Sequence, residues 1–519
     1  MEMLTALLPA ALISLVVVVA LLLFIRAAAA AAVFMIKNNA GAGSSTPSLP
    51  PGPSKLPLIG SIHHLMATGG ELPHHTITRL AREHGPVMHL QTGQVGLVVV
   101  SSREAAREVM KVQDANFAHR PELTGPKTLL YGCADLAFAS GAHWAPLRKM
   151  CVVKLLSSSR VRSFAPVRRE ETRALVGRIA GQPPGTAVDL RPMLEALSSA
   201  VVSRTVLGET FEHRGAILKE GLKLTSGFNL SDHFPSLSFL DVLTRRRLRR
   251  VHRQVDEILE DIIGERKKLR QDKSKDTTEN MLDVLLDAME RQDMEVPITQ
   301  DNIKAVIMDM FVGGTETTST TMEWALAELM KNPKEMAKVQ EEVRTKMQVG
   351  ETHLGDNNVG QLSYLKLVVK ETFRLHMPAP LLVPRVSKEQ CRLGGYTIPA
   401  GNRVVINVWA MGRDPSYWED AETFRPGRFL DRNVHFKGTS FEFLPFGAGR
   451  RICPGIEFGL AIIELCLAQL LFYFDWKLPG AMAPEDLDMS ETSVSALSVF
   501  RKEPLRLIPS MHAPFDLKN

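Results

Sequence analysis

Cysteine is scarce in this sequence, and the few cysteines that occur are widely separated along the chain. There are five in 519 residues, and no two of them form a C-x-x-C pair. This spacing disfavours a zinc ribbon or an iron–sulfur centre, and an odd number of distant cysteines is unlike the disulfide framework of a small secreted protein. We therefore expect reduced thiols and a catalytic region that faces a reducing compartment.

Charge of one sign is also lacking, because basic and acidic residues nearly balance. The formal net charge is +5, and we find no basic groove interleaved with aromatic residues and no zinc-finger spacing. Nucleic acid is therefore not expected as a partner. Internal repeats and the strand–helix alternation of βαβ units are missing as well. With 45% hydrophobic and 23% charged residues, the composition is that of a globular protein with a large core.

The N-terminal segment is almost wholly apolar over residues 4–25. A helix of about 20 such residues spans the ~30 Å hydrocarbon core of a bilayer. Arg26 and Lys37 follow the apolar run and only Glu2 precedes it, which places the C-terminal side in the cytosol. A cleavable signal peptide is the alternative, but it would have a positive leading region and a shorter apolar run. We predict an uncleaved, single-pass transmembrane helix.

A proline-rich segment follows the apolar one. Proline fixes φ and removes a backbone donor, so a segment dense in proline is extended and semi-rigid. The prolines concerned are Pro47, Pro50, Pro51, Pro53 and Pro57. We therefore divide the chain into a membrane anchor with its flank at 1–36, a polar and then proline-rich hinge at 37–57, and a catalytic domain at 58–519.

The catalytic domain is rich in helical periodicity. Charged helices are predicted at 103–111, 251–269 and 332–347. Short strands are predicted at 95–100 and within 396–408. Because helices outnumber strands, the expected fold class is mostly α with a small β portion.

Two further features of the sequence each have two interpretations. A run of arginines is either a solvated helix face or a contact for acidic lipid headgroups or an acidic protein. These arginines are Arg245, Arg246, Arg247, Arg249 and Arg250. The triplet Asn229-Leu230-Ser231 has the form of a glycosylation sequon, which cannot be used if the catalytic domain faces the cytosol.

The most informative stretch is FLPFGAGRRICPGIEFG at 443–459. Its glycines permit a sharp loop through which the backbone can closely approach a flat ligand. Cys453 is followed by Pro454, a residue preferred at the first position of a helix, and the chain after it is apolar. The N–H groups and dipole of a helix N-terminus favour a thiolate at Cys453, suited to bind iron. A structural cysteine in a turn is the alternative.

Residues 301–330 have the periodicity of one long helix. In its middle stands GGTETT at 313–318, although two glycines inside a helix cost about 1 kcal/mol each relative to alanine. Four polar residues follow these glycines on an otherwise apolar helix. Strain and polarity at one point indicate a functional site, whereas a helix kink with satisfied threonines is the alternative.

The loop around Cys453 resembles that of a known family. The pattern FxxGxRxCxG is similar to the haem-binding signature of cytochromes P450, and it is met by Phe446, Gly449, Arg451, Cys453 and Gly455. The hinge PPGPSKLPLIG and the stretch NVWAMGRDPSYW resemble plant microsomal members, and more distantly grass diterpenoid oxidases. The resemblance covers nearly the whole chain. It implies the cytochrome P450 fold and a haem b (iron protoporphyrin IX) whose iron takes the Cys453 thiolate as axial ligand.

Other motifs of the same resemblance imply residues around the haem. ETFR resembles the family's ExxR, so Glu371 and Arg374 would form a structural ion-pair triad with Arg428, although Gly427 stands where the family has glutamate. WAPLRK resembles the family's WxxxR helix, and an arginine ends LLVPR. The residues implied to contact the haem propionates are Trp144, Arg148, Arg385 and Arg451.

The GGTETT segment resembles the family's (A/G)GxxTT. It implies that Thr317 and Glu316 act as an alcohol–acid pair that delivers protons during oxygen cleavage. The resemblance also places a mostly apolar substrate pocket, suited to a lipophilic substrate, at residues of three separate segments. These pocket residues are Phe311, Val312, Gly313, Leu382 and Leu497.

The implied activity is monooxygenation of a lipophilic plant specialised metabolite with O2. Electrons would come from NADPH through a membrane-bound NADPH–cytochrome P450 reductase, docked on a basic surface on the thiolate side at Arg148, Lys149, Lys154 and Arg450. The implied location is the endoplasmic reticulum membrane, with the catalytic domain on its cytosolic face.

The substrate and the reaction class each have alternatives. We expect hydroxylation of a terpenoid or diterpenoid, and phenylpropanoid, alkaloid or amino-acid-derived substrates are alternatives. An O2-independent haem-thiolate isomerase or dehydratase would be expected to lack a pair such as Glu316 and Thr317. A haem-based binding or sensor protein would bind haem without NADPH-dependent oxygen uptake.

Overall fold

The computed structural model describes residues 48–66, 70–210, 215–225, 227, 229–272, 279–291, 296–347, 356–493 and 498–515. The predicted membrane anchor at 1–36, the first part of the hinge and the predicted pocket residue Leu497 lie outside the described residues.

Helices make up most of the described chain. In chain order they are α1 Ile62–Met66, α2 Pro73–His84, α3 Arg103–Arg107, α4 Asp114–Phe117, α5 Thr124–Leu129, α6 Trp144–Met150, α7 Ser158–Ser163, α8 Ala165–Ala180, α9 Leu190–Leu207, α10 Gly215–Thr225, α11 Leu230–His233, α12 Val242–Gln271, α13 Met281–Arg291, α14 Gln300–Gly314, α15 Glu316–Lys331, α16 Pro333–Lys346, α17 Asp356–Val359, α18 Ser363–Leu375, α19 Val408–Gly412 and α20 Ile456–Tyr473. Short π-helical turns lie at Glu108–Val112 and Cys151–Leu155, and 3-10 turns at Pro235–Leu240, Pro426–Phe429, Gly449–Arg451, Pro479–Ala481 and Pro484–Asp486.

The strands are short and form four small sheets. They are β1 Val87–Thr92, β2 Val95–Val100, β3 Val188–Asp189, β4 Arg385–Val386, β5 Cys391–Leu393, β6 Tyr396–Ile398, β7 Arg403–Ile406, β8 Phe474–Lys477, β9 Glu491–Thr492, β10 Phe500–Arg501 and β11 Arg506–Met511. The largest sheet has the order β1-β2-β7-β4, with β2 and β7 parallel and the outer pairs antiparallel. The others are β3-β11-β8 and the pairs β5-β6 and β9-β10.

Local chemistry explains where several of these helices begin. Ser102 accepts a hydrogen bond from the Ala105 amide at the start of α3. Thr299 and Asn302 form a capping box at the start of α14, in which each side chain binds the backbone N–H of the other residue. Such caps satisfy N–H groups that have no partner within the helix.

The predicted fold class, mostly α with a small β portion, is confirmed, and so is the strand at Val95–Val100. The prediction of one uninterrupted helix over 301–330 is wrong. The chain forms α14 and α15, which are separated at Thr315 with φ −91° and ψ −69°. The interruption lies directly after the two glycines, because glycine stabilises a helix least among the residues present there.

One helix is apolar enough to be mistaken for a membrane span. Among the described residues, only α20 is long and apolar enough by length and composition to cross a bilayer, yet 61% of it is buried inside the protein. It packs against α8 and α15 in the main core. Helix α20 is therefore a core helix. It begins at Ile456, three residues after Cys453, so Pro454 precedes the helix and is not its first residue.

The described part of the proline-rich segment packs on the body of the protein. Pro50 and Pro53 are buried, and the His89 amide of β1 donates to the Pro51 carbonyl oxygen at 2.8 Å. A Cβ atom at Gly52 would lie 2.0 Å from the carbonyl oxygen of His89, so only glycine fits there. The described part of the segment is thus held against the body at β1 and β6, and it turns at residues 57–59.

Candidate functional site

The loop that presents Cys453 is closed by its own backbone. The Cys453 amide donates to the carbonyl oxygen of Phe446 at 2.9 Å, and the Ile452 amide donates to that of Gly449 at 3.0 Å. Gly447 and Gly449 both have φ of +69°, a left-handed conformation that glycine adopts without strain. The loop thus holds Cys453 at a fixed place before the first residue of α20, as the sequence predicts.

The structure assigns Gly449 a reason that the sequence did not reveal. A Cβ atom at this position would lie 2.1 Å from the carbonyl oxygen of Met110, in the π-helical turn Glu108–Val112. The neighbouring Arg450 amide donates to Asp114 Oδ2 at 2.8 Å. Gly449 therefore allows the cysteine loop to dock on the protein itself, whereas we expected its glycine to serve the approach of a ligand.

Cys453 is half-buried, and its thiol experiences opposing influences. Burial raises the pKa of the Cys453 thiol, while a hydrogen bond from the Gly455 backbone and the positive charge of Arg148 lower it. Gly455 and Arg148 are the groups that stabilise a thiolate here.

Buried guanidinium groups collect beside this loop. Arg148 donates to the carbonyl oxygen of Ile452, and Arg385 Nη2 donates to that of Ala448 at 3.1 Å. Arg451 belongs to the loop itself, and its guanidinium carbon lies 3.7 Å from the ring centroid of Trp144. The predicted propionate contacts are thus brought together in one cluster.

The electrostatics of this cluster show an excess of positive charge. Burial, together with repulsion from Arg385 and Arg148, lowers the pKa of Arg451 to about 9. Burial also lowers the pKa of Arg385 to about 10, although Asp114, 3.5 Å from its Nη1, opposes this. Sequence reasoning missed Arg120, which belongs to the same cluster. Burial, together with repulsion from Arg385 and Arg451, holds the pKa of Arg120 well below its usual value.

These residues fit a ligand that carries two carboxylates, as haem does. Charged donors that repel one another in a buried place are stabilised by an anionic partner. The chemistry of the donors matches as well, since a cysteine sulfur is a suitable axial ligand for haem iron. The residues of the predicted cofactor site are therefore suited, by charge and by donor type, to hold haem.

The two glycines of GGTETT have different surroundings. A Cβ atom at Gly314 would lie 2.8 Å from Val202 Cγ2, so this glycine lets α14 pack closely on α9. A Cβ atom at Gly313 would have no neighbour within 4 Å among the described residues, and Gly313 is exposed although Phe311 is buried. Gly313 therefore borders open space, where a flat ligand can approach the helix backbone.

The GGTETT segment touches the helix that follows Cys453. A Cβ atom at Gly314 would lie 3.9 Å from Phe458 Cε1, and one at Gly459 would lie 3.8 Å from Thr318 Oγ1. Thr317 and Glu316 are both half-buried in the first turn of α15. Two motifs that are about 140 residues apart in the sequence (313–318 and 453) are thus neighbours in the fold.

The predicted triad is present as a buried ion-pair network. Arg374 makes a bidentate pair with Glu371, with both N–O distances at 2.8 Å, and Arg428 Nε donates to Glu371 Oε1 at 2.9 Å. Glu371 and Arg374 are fully buried, and Arg428 is 8% exposed. The other guanidinium hydrogens reach backbone carbonyl oxygens, including that of Gly412. At Gly427 an added Cβ would meet only Leu430 Cδ1, at 3.9 Å.

The described pocket residues have different degrees of burial. Phe311 is 4% exposed and belongs to the main core, Val312 is half-buried, and Gly313 is exposed. Leu382 has φ of +53°, and its Cδ1 atom would lie 3.6 Å from a Cβ at Gly447 of the cysteine loop. Leu382 and Gly313 therefore belong to segments that meet the cysteine loop and α20.

Comparisons with known proteins identify the family of the chain. A sequence profile of the family described as cytochrome P450 matches residues 50–505. The chain is 47% identical over 475 residues to desmethyl-deoxy-podophyllotoxin synthase of Sinopodophyllum hexandrum, covering 89% of this chain and 92% of that protein. It is 46% identical over 480 residues to premnaspirodiene oxygenase of Hyoscyamus muticus, covering 91% and 94%. It is 45% identical over 476 residues to salviol synthase of Salvia pomifera, covering 91% and 93%.

Fold, site and relatives together define an oxidoreductase with a haem-thiolate cofactor. The chain belongs to the cytochrome P450 family, and it is a monooxygenase.

Proposed function

We propose that this protein hydroxylates a lipophilic plant terpenoid, with a diterpenoid as the preferred class. The observation that carries the proposal is the position of Cys453, in a closed loop beside a cluster of buried guanidinium groups. The terpenoid class is supported by relatives with terpenoid-related names, premnaspirodiene oxygenase and salviol synthase. Another relative is named for podophyllotoxin, so a phenylpropanoid substrate is the second candidate.

In this proposal each part of the site holds haem b in a different way. Cys453 ligates the iron, and Arg148, Arg385, Arg451 and Trp144 bind the propionates. When bound, the haem supplies the activation of O2 with electrons that come from NADPH through a reductase. The exposed backbone at Gly313 lets the oxygen-side helix lie close to the haem face.

The role proposed for Thr317 and Glu316 is to hold and move protons. Thr317 Oγ1 donates its hydrogen to the Gly313 carbonyl oxygen at 2.5 Å, which leaves its lone pairs to accept a hydrogen bond from water. Glu316 precedes it at the start of α15, where a carboxyl group can resupply the proton.

A membrane-facing surface is supported by exposed apolar side chains on two segments. The segments meet because the Gly93 amide donates to the Ile59 carbonyl oxygen, while Gln94 accepts a hydrogen bond from the Ser236 amide. Large apolar side chains on this surface are at least 37% exposed, and they are Leu56, Leu58, Ile59, Phe239, Leu240 and Leu243. An exposed apolar patch of this extent indicates a contact with lipid or another partner. We propose that it lies on the endoplasmic reticulum membrane, as the single-pass anchor would require.

The arginine run lies next to this surface, in the first turns of α12. Arg246, Arg249 and Arg250 are exposed, and Arg247 pairs with Glu220 at 2.8 Å on the surface. A solvated helix face explains this pair, while the nearby apolar patch favours contact with acidic lipid headgroups for the other arginines.

The thiolate side of the domain offers basic residues to a reductase. Lys149, Lys154 and Arg450 are exposed, and the side chain of Arg450 is 64% exposed. Arg148 is half-buried, since it donates to the Ile452 carbonyl oxygen. We therefore propose Lys149, Lys154 and Arg450 as the docking charges, with Arg148 reserved for the haem.

The proposal is tested by spectroscopy on the purified full-length protein. Wild-type protein should show the thiolate-type carbon monoxide difference spectrum, and Cys453→Ala should lose haem or that spectrum. Ferric protein should then be titrated with terpenes, phenolics and amino-acid derivatives. A saturable Soret shift with a terpene, followed by an NADPH-dependent hydroxylated product, supports the proposal. Turnover of only the phenolics would favour the second candidate, and absence of a haem spectrum would overturn the site.

A further inference from the structure

Two acidic side chains meet in the interior between α14 and the loop 134–140. Asp135, in the loop, is fully buried, and Asp309 lies in α14, one helical turn before Gly313. Asp309 accepts a hydrogen bond from the amide of Leu136, the residue that follows Asp135, so the two carboxyl groups are neighbours. A carboxyl–carboxyl hydrogen bond needs one proton between the two groups, because two carboxylates at such a distance repel one another.

The loop backbone is bound to this pair. Asp309 Oδ2 accepts hydrogen bonds from the amides of Leu136 at 2.5 Å and Ala137 at 3.3 Å, while Asp135 Oδ2 accepts from the Phe138 amide at 2.9 Å. Asp135 Oδ1 is buried and receives no N–H or side-chain hydroxyl donor from the described residues. A protonated Asp309 carboxyl supplies the donor that this oxygen requires.

The opposite side of the same loop is bound to the guanidinium cluster. The Leu136 carbonyl oxygen accepts from Trp144 Nε1 and from Arg451 Nη1, both at 3.1 Å. The Ala137 carbonyl oxygen accepts from Arg120 Nε at 2.8 Å. The loop 134–140 thus links the helix that carries Gly313 to the residues proposed to hold the haem propionates.

We propose that Asp309 is a positioning residue that holds the loop 134–140 closed by sharing one proton with Asp135. Ionisation of both groups would place two negative charges together and weaken the attachment of the loop to α14. The loop would then open more readily and admit ligands to the pocket. The position of the loop depends on residues of this chain alone. Only the expected effect of loop opening on ligand entry rests on the proposed function.

Burial of the pair and the repulsion between its two acids favour one retained proton. Burial raises the pKa of Asp309 well above its usual 3.8, and the negative charge of Asp135 raises it further. Burial also raises the pKa of Asp135. The other titratable groups facing the pair are Arg120 and Arg451 on the side of Asp135, Cys133 near both acids, and Cys151 near Asp309.

The first experiment measures hydrogen exchange at the loop in the haem-loaded, full-length protein. Asp309→Ala should speed exchange of the Leu136 and Ala137 amides by about tenfold or more, because their acceptor is lost. Asp309→Asn should exchange like the wild type, because an amide can both accept from the loop and donate to Asp135. Asp301→Asn, at an exposed position in the same helix, is the matched control. Unchanged exchange in Asp309→Ala would overturn the positioning role.

The second experiment follows the binding rate of 4-phenylimidazole, which ligates haem iron, from neutral pH upward over the range in which the protein stays folded. In the wild type the rate should rise with pH, as the shared proton is lost and the loop opens. Asp309→Asn and Asp135→Asn should give flat profiles, since neither pair can hold two charges. These two variants test proton sharing even if the Asp309→Ala protein fails to fold. A rise that persists in Asp309→Asn would refute proton sharing, and a wild type without an azole spectrum would instead refute the haem site.

Discussion

The hydroxyl group of Thr317 donates to the carbonyl oxygen of Gly313, with 2.5 Å between the two oxygens. This bond spans the interruption of the helix at Thr315 and joins the exposed glycine to the polar segment that follows it. One residue of the proposed proton path therefore also fixes the backbone against which the haem would lie.

Thr317→Ala is expected to keep haem and the thiolate spectrum but to lose coupling between NADPH oxidation and product. Without the hydroxyl, protons reach the site less selectively, and hydrogen peroxide is released in place of product. An effect of about 100- to 10,000-fold on coupled turnover is expected of a proton-transfer group. The measurement is peroxide and product per NADPH. Thr321→Ala is the matched control, since its hydroxyl donates to the Thr317 carbonyl oxygen one turn further along. Equal coupling in both variants would refute the role of Thr317.

Glu371→Gln is expected to destabilise the protein by about 3–5 kcal/mol, because Arg374 and Arg428 would lose their shared buried carboxylate. The midpoint of denaturant-induced loss of the haem spectrum measures this effect. Glu419→Gln removes the partner of exposed Arg425 in the same region and should leave the midpoint unchanged. A wild-type midpoint in Glu371→Gln would show that the triad does not stabilise the fold.

Gly427→Ala is expected to raise the stability by up to about 1 kcal/mol. The position has ample space for a Cβ, and alanine loses less backbone entropy on folding than glycine. The measurement is the same denaturation midpoint. Gly449→Ala is the opposite case, since its Cβ would collide with the Met110 carbonyl oxygen, and it should lose the haem spectrum. A loss of stability in Gly427→Ala would mean that this position requires glycine after all.

Glu464 makes stability depend on pH. Burial in α20 raises the pKa of Glu464 from 4.5 to about 7, so the folded protein retains a proton that the unfolded chain releases. Stability from this group is fully present below pH 4.5 and is lost as the pH rises to about 7, by about 3 kcal/mol at most. Glu464→Gln should therefore be more stable than wild type at about pH 8 and equal to it near pH 4.5. Glu457→Gln, exposed on the same helix, should show no such difference.

The topology can be tested with a new glycosylation site. The native sequon at Asn229 is a poor reporter, because Asn229 is 4% exposed and its amide donates to the Gly227 carbonyl oxygen and to Asp232 Oδ2. The substitution His435→Ser creates a sequon that begins at Asn433, which is exposed. No glycan should be attached in a microsomal expression host, whereas the same variant sent to the lumen by a cleavable signal peptide should carry one. Glycan on the first protein would contradict a cytosolic catalytic domain.

Sequence reasoning predicted the sharp loop before α20, where glycine and proline stand in a fixed local order. Glycine, arginine and proline around Cys453 restrict the loop by local sterics, and the loop has this form in the structure. Sequence reasoning did not predict where a helix is interrupted. The periodicity of 301–330 predicted one helix, but the local strain at Thr315 interrupts it.

Contacts between distant segments were beyond the reach of sequence patterns. Asp309 stands in an apolar helix pattern, and an acid in such a pattern was a signal that sequence reasoning passed over. Its partner Asp135 is 174 positions away (309 − 135), and no periodicity connects the two. Arg120 likewise joins the guanidinium cluster from outside any motif.

The sequence by itself determined the fold class, the family and the loop in which Cys453 stands as the proposed ligand, because backbone sterics and side-chain chemistry act over a few neighbouring residues. Only the tertiary structure decided why Gly449 and Gly314 must be glycine and how one loop is bound by an acid pair and a guanidinium cluster. Those properties depend on which distant surfaces meet, and packing of the whole chain settles that.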